Sequence, residues 1–288
     1  MDWSRAFFYS GALEPVPNAM ACPLALRVLA RCGQASALAP KYAACVELEL
    51  YAESFNLAGT YLKTDPHMST ALDFTRARFN MVEQQVRTWN VLDFRVLDVL
   101  HALPREAFVA PEQRNHAYAD LALSLGHGQR MFKPVLEGRM LQALKITGDD
   151  EVLEVGTGSG YTAACMARLG RMVTTLERIP ALAEQAQARL RAQQLYNVSV
   201  YNEDGLDGYT SKLRFDVIAL GGAVITIPEQ LKQLLSPGGR LFAICGRSPA
   251  MEAILLTRVG DTEFREESLF ETDVDYLVGA APTPKFVI

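Results

Sequence analysis

Residues 151–160, EVLEVGTGSG, run a short apolar segment straight into three alternating glycines, Gly156, Gly158 and Gly160, and YTAACMARL follows with the spacing of a helix. Glycines at such a turn let the backbone bend tightly and approach a ligand with no Cβ in the way. They serve close helix–strand packing equally well, so spacing has to discriminate. A dinucleotide site reads G-x-G-x-x-G and seats its pyrophosphate on the helix amino terminus. Here the pattern is G-x-G-x-G, and Tyr161 stands where the third glycine would fall. Glu154, two residues ahead of the loop, sharpens the distinction. A carboxylate beside the turn repels pyrophosphate but attracts a cation or accepts hydrogen bonds from an ammonium group. S-adenosylmethionine carries a sulfonium and an α-ammonium and no phosphate. The charge pattern favours it over a nicotinamide dinucleotide.

Two further acidic positions fit the same ligand. Glu177 closes the second apolar run, 21 residues after Gly156, where a carboxylate can take both ribose hydroxyls. Asp204 and Gly205 follow the third run in NEDGLDG, placed for an adenine amino group and its ring. Alone, the Asp-Gly pair reads as a simple turn and Glu177 as a solvated strand end. Together the three features form a specific pattern.

The elements that must position these residues are legible on either side. EVLEVG, RMVTTLE, NVSVYN, FDVIAL and GGRLFAICG read as strands, separated by helices in YTAACMARL, PALAEQAQARLRAQ and IPEQLKQLL. AILLTRV and ESLFETDVDYLV read as a closing hairpin. Apolar strands alternating with helices predict a parallel sheet covered on both faces. The fold expected is therefore α/β, a doubly wound and mostly parallel sheet, with its ligand beyond the carboxyl ends of the strands at the switch point. Upstream, DFTRARFNMVEQQVRTW places Phe74, Arg78, Met81, Gln85 and Trp89 near one helical face, with Phe79, Val82 and Val86 beside it. Asp93 caps the next helix, whose stripe is Val96, Leu97, Val99 and Leu100, and Pro104 ends it. A small helical subdomain ahead of the sheet is predicted.

Composition narrows the function classes. The net charge of −5, from 28 basic and 33 acidic residues, argues against a surface for nucleic-acid phosphates. No apolar run reaches membrane-spanning length. The five cysteines, Cys22, Cys32, Cys45, Cys165 and Cys245, form no CxxC or Cys/His cluster, which argues against a disulfide framework and a zinc site and suits a reducing cytosol. His67, His101 and His116 lack metal spacing, and no metal is expected. Residues 1–67 stand apart, with five prolines and no basic n-region or sustained apolar core of a secretory signal. Glu14, Glu47 and Glu49 oppose a transit peptide. This stretch is expected to be a weakly structured leader or a start assigned upstream of the natural one, for which Met68 is suited. Beyond it the expected divisions are 68–135, helical and acceptor-side; 136–280, cofactor-binding; and 281–288, a tail.

From about Phe79 to Leu277 the chain resembles the protein-L-isoaspartate O-methyltransferases. NMVEQQVRTWNVLDFRVLDVLHALPREAFVAPE is similar to the family's amino-terminal helices, and LGHGQRMFKP to its glycine–glutamine segment. VLEVGTGSGYTAACMARLG is similar to its first cofactor motif, and FDVIALGGAVITIPEQLKQLLSPGGRL to its fourth and fifth strands. Methyltransferases of unrelated substrate share the sheet, so the segments outside it carry the assignment. The resemblance implies a Rossmann-like methyltransferase fold and S-adenosylmethionine as cofactor. It also implies methylation of the free α-carboxylate of isoaspartyl residues in damaged proteins. The ester then collapses to a succinimide that partly reopens to a normal peptide bond. A cytoplasmic monomer is expected, acting on protein or peptide substrates with neither nucleic acid nor membrane as partner.

That chemistry asks little of the protein. The acceptor is ionised at neutral pH, so no general base is needed, and His127 reads as a loop-fixing residue. A dry pocket must align oxygen, methyl and sulfur, and donors must hold the carboxylate without quenching it. Here the sequence departs from the family, whose pattern is G-Q-T-I-S-x-P with the serine assigned to the active site. This chain has Gly128, Gln129, Arg130, Met131, Phe132, Lys133 and Pro134, so Phe132 takes the serine position without a hydroxyl. Gln129, Arg130 and Phe132 are the implied catalytic-segment residues, and Arg130 can grip a carboxylate bidentately. The family's T-A-A-x-P is likewise replaced, by Gly221, Gly222, Ala223 and Val224. Both changes fall on the acceptor side. A methyltransferase of another acceptor and a cofactor-binding regulatory protein without turnover remain the alternatives.

Overall fold

The structure, a computed structural model, describes residues 73–283. The expectations for residues 1–67, for Met68 as a start and for residues 284–288 of the tail lie outside the described residues.

Helix α1 (Phe74–Asn80) starts where Asp73 accepts hydrogen bonds from the Thr75 and Arg76 amides at 3.0 and 3.2 Å. It runs into a π-helical turn, Met81–Val86, and a 3₁₀ turn, Arg87–Trp89. The wider winding carries the Arg87 amide back to the Val82 carbonyl, five residues away, and breaks the 3.6-residue period. The single face predicted from that period is corrected here. Met81, Val82 and Val86 are fully buried, while Phe79 and Trp89 are 55% and 58% exposed. Helix α2 (Phe94–Ala102) is capped by Asp93 and buries Val96, Leu97, Val99 and Leu100, as its spacing predicts. Helix α3 (Pro134–Leu144) lies tightly over the π turn at Gly138, where a Cβ would stand 2.7 Å from Val86 Cγ1.

Between α2 and α3 a hairpin of β1 (Ser124–Gly126) and β2 (Gln129–Arg130) turns through Gly126, His127 and Gly128, all with positive φ. The main sheet follows. Its strands are β3 (Glu151–Val155), β4 (Met172–Leu176), β5 (Val198–Tyr201), β6 (Phe215–Val224), β7 (Leu235–Arg247), β8 (Ala250–Arg258) and β9 (Phe264–Thr272). They lie in the order β5-β4-β3-β6-β7-β8-β9, parallel from β5 to β7, with β8 and β9 antiparallel. Helices α4 (Tyr161–Leu169), α5 (Pro180–Ala192) and α6 (Glu229–Gln233) connect them. This is the doubly wound, mostly parallel sheet expected, with helical elements ahead of it. From β3 the chain winds outward through β4 to β5 and returns to β6 on the other side of β3. The switch point therefore opens between β3 and β6.

Side chains alternate across each strand. Val152, Val173, Val217 and Phe242 join the core shared with α2, α3 and α4, while Leu153, Val155, Ile218 and Leu241 join the core under α6. Two strand readings need correction. FDVIAL continues to Val224, with an irregular register between Ala219 and Ala223 that takes in Gly221 and Gly222. ESLFETDVDYLV is not one strand. Thr272 pairs with Met251 at the start of β8, where that partner runs out. The chain then crosses to the end of β6, where the Ala223 amide donates to the Asp275 carbonyl and the Leu277 amide to the Ala223 carbonyl, both at 2.9 Å. Among the described residues no helix is long and apolar enough to cross a membrane.

Candidate functional site

A narrow crevice of about 60 Å³ opens at the switch point, walled by Gly156, Gly158, Glu177, Asp204, Gly205 and Leu206 among others. Gly156 and Gly158 hold φ of +93° and +54°, which a Cβ would strain. Across from them Gly221 touches the loop backbone to backbone: a Cβ there would overlap the Gly156 carbonyl oxygen. Bare main chain thus lines both sides.

Glu177 is 6% exposed and accepts from the Gly158 amide at 2.8 Å and the Ile179 amide at 2.9 Å, one bond to each carboxylate oxygen. The carboxylate is fixed in place, with lone pairs left for a diol. Asp204 accepts from the Leu206 amide at 2.9 Å and forms an ion pair with Arg178 at 3.1 Å. Gly205 is needed for packing, since a Cβ there would stand 2.6 Å from Val155 Cγ1. Gly160 lies behind the crevice, starting α4 against α5, where a Cβ would be 3.2 Å from that of Ala186.

Glu154 does not face the crevice, and the reading that put its charge beside the ligand is corrected. It is one residue from Val155, which does line the crevice, so it points to the opposite side of the sheet. There it is 1% exposed, with Thr175 Oγ1 donating to its Oε2 at 2.5 Å. The same hydroxyl shares a 2.6 Å hydrogen bond with Thr157 of the glycine loop. Burial, which outweighs the Thr175 hydrogen bond, pushes the carboxyl up to about 8. It is a neutral prop beneath the loop at neutral pH. The charge of the crevice comes instead from Glu177, Glu203 and Asp204, while its two cations, Arg130 and Arg178, are already paired with Asp275 and Asp204. Carboxylates, bare backbone and no free cation suit a positively charged nucleoside and oppose a pyrophosphate.

A larger cleft of about 470 Å³ adjoins the crevice, and Gln129, Arg130, Gly221 and Leu277 belong to the walls of both. Phe132 and Gly222 line the cleft as well. Arg130, expected to grip a substrate carboxylate, has its fork occupied. Nε and Nη2 donate to Asp275 at 2.6 Å each. Phe132 is 8% exposed, and its carbonyl accepts from Arg105 Nη2 at 2.5 Å. Arg105 is itself fully buried, ion-paired with Glu137 and stacked 4.8 Å above the Tyr161 ring. No motif in the sequence points to Arg105, Glu137 or Asp275. Only Glu137 left a signal, a charge on the α3 stripe it shares with Leu141 and Leu144 at helical spacing.

A family model described as protein-L-isoaspartate(D-aspartate) O-methyltransferase matches residues 77–276. A protein-L-isoaspartate O-methyltransferase 1 of Rhodopseudomonas palustris is 36% identical over 236 residues, 80% of this chain and 96% of that protein. One from Methylorubrum extorquens is 42% identical over 192 residues, 67% and 84% of the two chains. In structure, a Plasmodium falciparum protein described as a protein-L-isoaspartate O-methyltransferase, in complex with S-adenosyl-L-homocysteine, superposes with a TM-score of 0.61 at 18% identity, covering 71% of this chain and 97% of that one. Another structure described as a protein-L-isoaspartate O-methyltransferase gives 0.62 at 24% identity, covering 70% and 66%. These two likenesses show the fold.

Proposed function

The chain belongs to the protein-L-isoaspartate O-methyltransferase family, and from that footing we propose that it methylates the free α-carboxylate of isoaspartyl residues in damaged proteins, with S-adenosylmethionine as cofactor. The observation that carries the proposal is the shared wall of the two cavities, where Gln129, Arg130, Gly221 and Leu277 bring acceptor cleft and cofactor crevice together.

The cofactor supplies, when bound, a methyl group on a positively charged sulfur. Its adenosyl part suits the crevice, where Glu177 would hold the ribose diol and Asp204 the adenine edge. Gly156, Gly158 and Gly221 let the crevice walls close tightly, since a Cβ at these positions would press on Leu277, on Leu125 and on the Gly156 carbonyl oxygen respectively. On the acceptor side the chain needs no base, because the carboxylate is ionised. Its task is to exclude water and fix direction. Phe132, Met131 and Leu136 supply an apolar wall, and Gly221 and Gly222 expose main chain to it. Arg105 fixes the Phe132 carbonyl and so the course of the acceptor segment.

On the same proposal the enzyme works as a monomer in the cytoplasm; the free Cys165 and Cys245 accord with that reducing compartment. A second reading has one observation in its favour: Phe132 stands in the cleft where the family has a serine, which suits methylation of a different acceptor. Labelled methyl transfer to an isoaspartyl peptide and to its aspartyl twin separates the two. Label on the isoaspartyl peptide alone supports repair; label on neither peptide transfers the case to the second reading.

A further inference from the structure

We infer that Arg139, and not Arg130, is the side chain that grips the carboxylate of the methyl acceptor. The inference rests on the acceptor being a carboxylate, as proposed above. Arg130 is spent, because both donors of its fork already serve Asp275. Arg139 lines the same cleft from α3, half-buried, and its guanidinium carbon lies 3.6 Å from the centroid of the Phe270 ring. Among the described residues it has no ion pair, although Asp120, Glu271 and Asp273 line that cleft too.

Stacking on Phe270 immobilises the plane of the guanidinium and leaves its edge donors free, the presentation a planar carboxylate needs. Burial without a partner makes the charge costly, and burial is what pushes the pKa of Arg139 down. An incoming anion offsets that cost. The neighbouring Phe132, Val135 and Leu136 strengthen the attraction by keeping water away. Lys133 is the other cation of the cleft outside an ion pair, but it is exposed at the start of α3 and stays solvated. Arg139 thus takes over, from a different element, the donor role that the replaced serine position no longer fills.

The test compares two peptides that differ only at the acceptor group, an isoaspartyl peptide and its α-carboxamide twin. Calorimetry measures the binding of each with S-adenosylhomocysteine present. Wild type is expected to prefer the carboxylate by at least about tenfold, as for a charge-assisted pair out of water. Arg139→Gln should reduce the preference to within about twofold, whereas Lys133→Gln should leave it nearly intact. Should the glutamine variant not fold, Arg139→Lys decides: a preference cut by at least about threefold supports the planar grip, and an unchanged one overturns it. A wild type without preference, or Arg139→Gln with the full preference, also overturns the inference. If wild type shows the preference, Arg139→Gln loses it and no methyl is transferred to the isoaspartyl peptide, the grip stands and the repair proposal falls.

Discussion

Arg130 and Asp275 face each other across two parallel hydrogen bonds, Nε to Oδ2 and Nη2 to Oδ1, each 2.6 Å long. The pair ties the β1–β2 hairpin, which lies over the glycine loop, to the 273–277 segment that closes on the end of β6. Both side chains remain well exposed, so the pair contributes only about 0–1 kcal/mol to folding. Its effect should appear in binding instead. Asp275→Asn is expected to shift the melting temperature by no more than about 4 °C, yet raise KM for cofactor and acceptor by roughly threefold or more, since both cavities share Arg130. Steady-state kinetics with a thermal melt checks this. Unchanged KM values would mean that the Ala223 backbone bonds hold the segment unaided.

Restoring the family hydroxyl gives a second measurement. Phe132→Ser removes a ring that is 8% exposed but borders the cleft, and should cost about 2 kcal/mol of stability, below the range for a sealed core. At the same time kcat/KM for an isoaspartyl peptide should rise, because a donor replaces an apolar surface beside the acceptor. A variant that folds, binds S-adenosylhomocysteine normally and gains no rate would show that this position does not limit transfer.

The sheet is legible in the sequence because its parallel strands are built on short, largely apolar runs and the helices α4 and α5 that separate the first three are of ordinary length. The crevice residues Gly156, Gly158, Glu177, Asp204 and Gly205 follow from that, since strand ends fix where loops emerge. What lay beyond reach depended on direction or distance. Glu154 adjoins the glycine loop in sequence but not in space, because one step along a strand reverses the face. The partner of Arg130 lies 145 residues away, and no local pattern announces it. The π turn at Met81–Val86 shifts the helical face without any proline or glycine to mark it. Phe132 and the Gly221–Gly222 pair were legible as departures, and both lie on the cleft.

The buried Glu154 carboxyl makes stability depend on pH. Its folded pKa of about 8 lies above its ordinary 4.5, so the folded state keeps a proton that the unfolded chain gives up. The stabilisation is complete below about pH 4.5 and is lost as pH rises through about 8. One proton sets a limit of about 1.4 kcal/mol per pH unit on the slope. Glu137, pushed up to about 7 by burial, acts in the same direction. Urea unfolding from pH 6 to pH 9, roughly the window of these two groups, should therefore show falling stability in wild type and a shallower fall in Glu154→Gln. Parallel curves would place the titration elsewhere.

The pair of Arg105 and Glu137 supports the acceptor segment, and two variants can separate that role from bulk stability. Both side chains are buried, and Arg105 Nε and Glu137 Oε1 have no hydrogen-bond partner, so the pair is only partly satisfied. Removing one member strands the other. Arg105→Met leaves the Glu137 carboxyl buried without its cation and should cost about 3 kcal/mol or more. Replacing both at once, Arg105→Met with Glu137→Met, removes the stranded charge and should return stability to within about 1 kcal/mol of wild type. Activity should not return with it, because the Phe132 carbonyl has lost the Arg105 donor that fixes it. Chemical denaturation and methyl transfer on the same preparations read the two effects apart. A double variant that is both stable and fully active would show that Arg105 serves the core alone, and that Phe132 is positioned by its own packing.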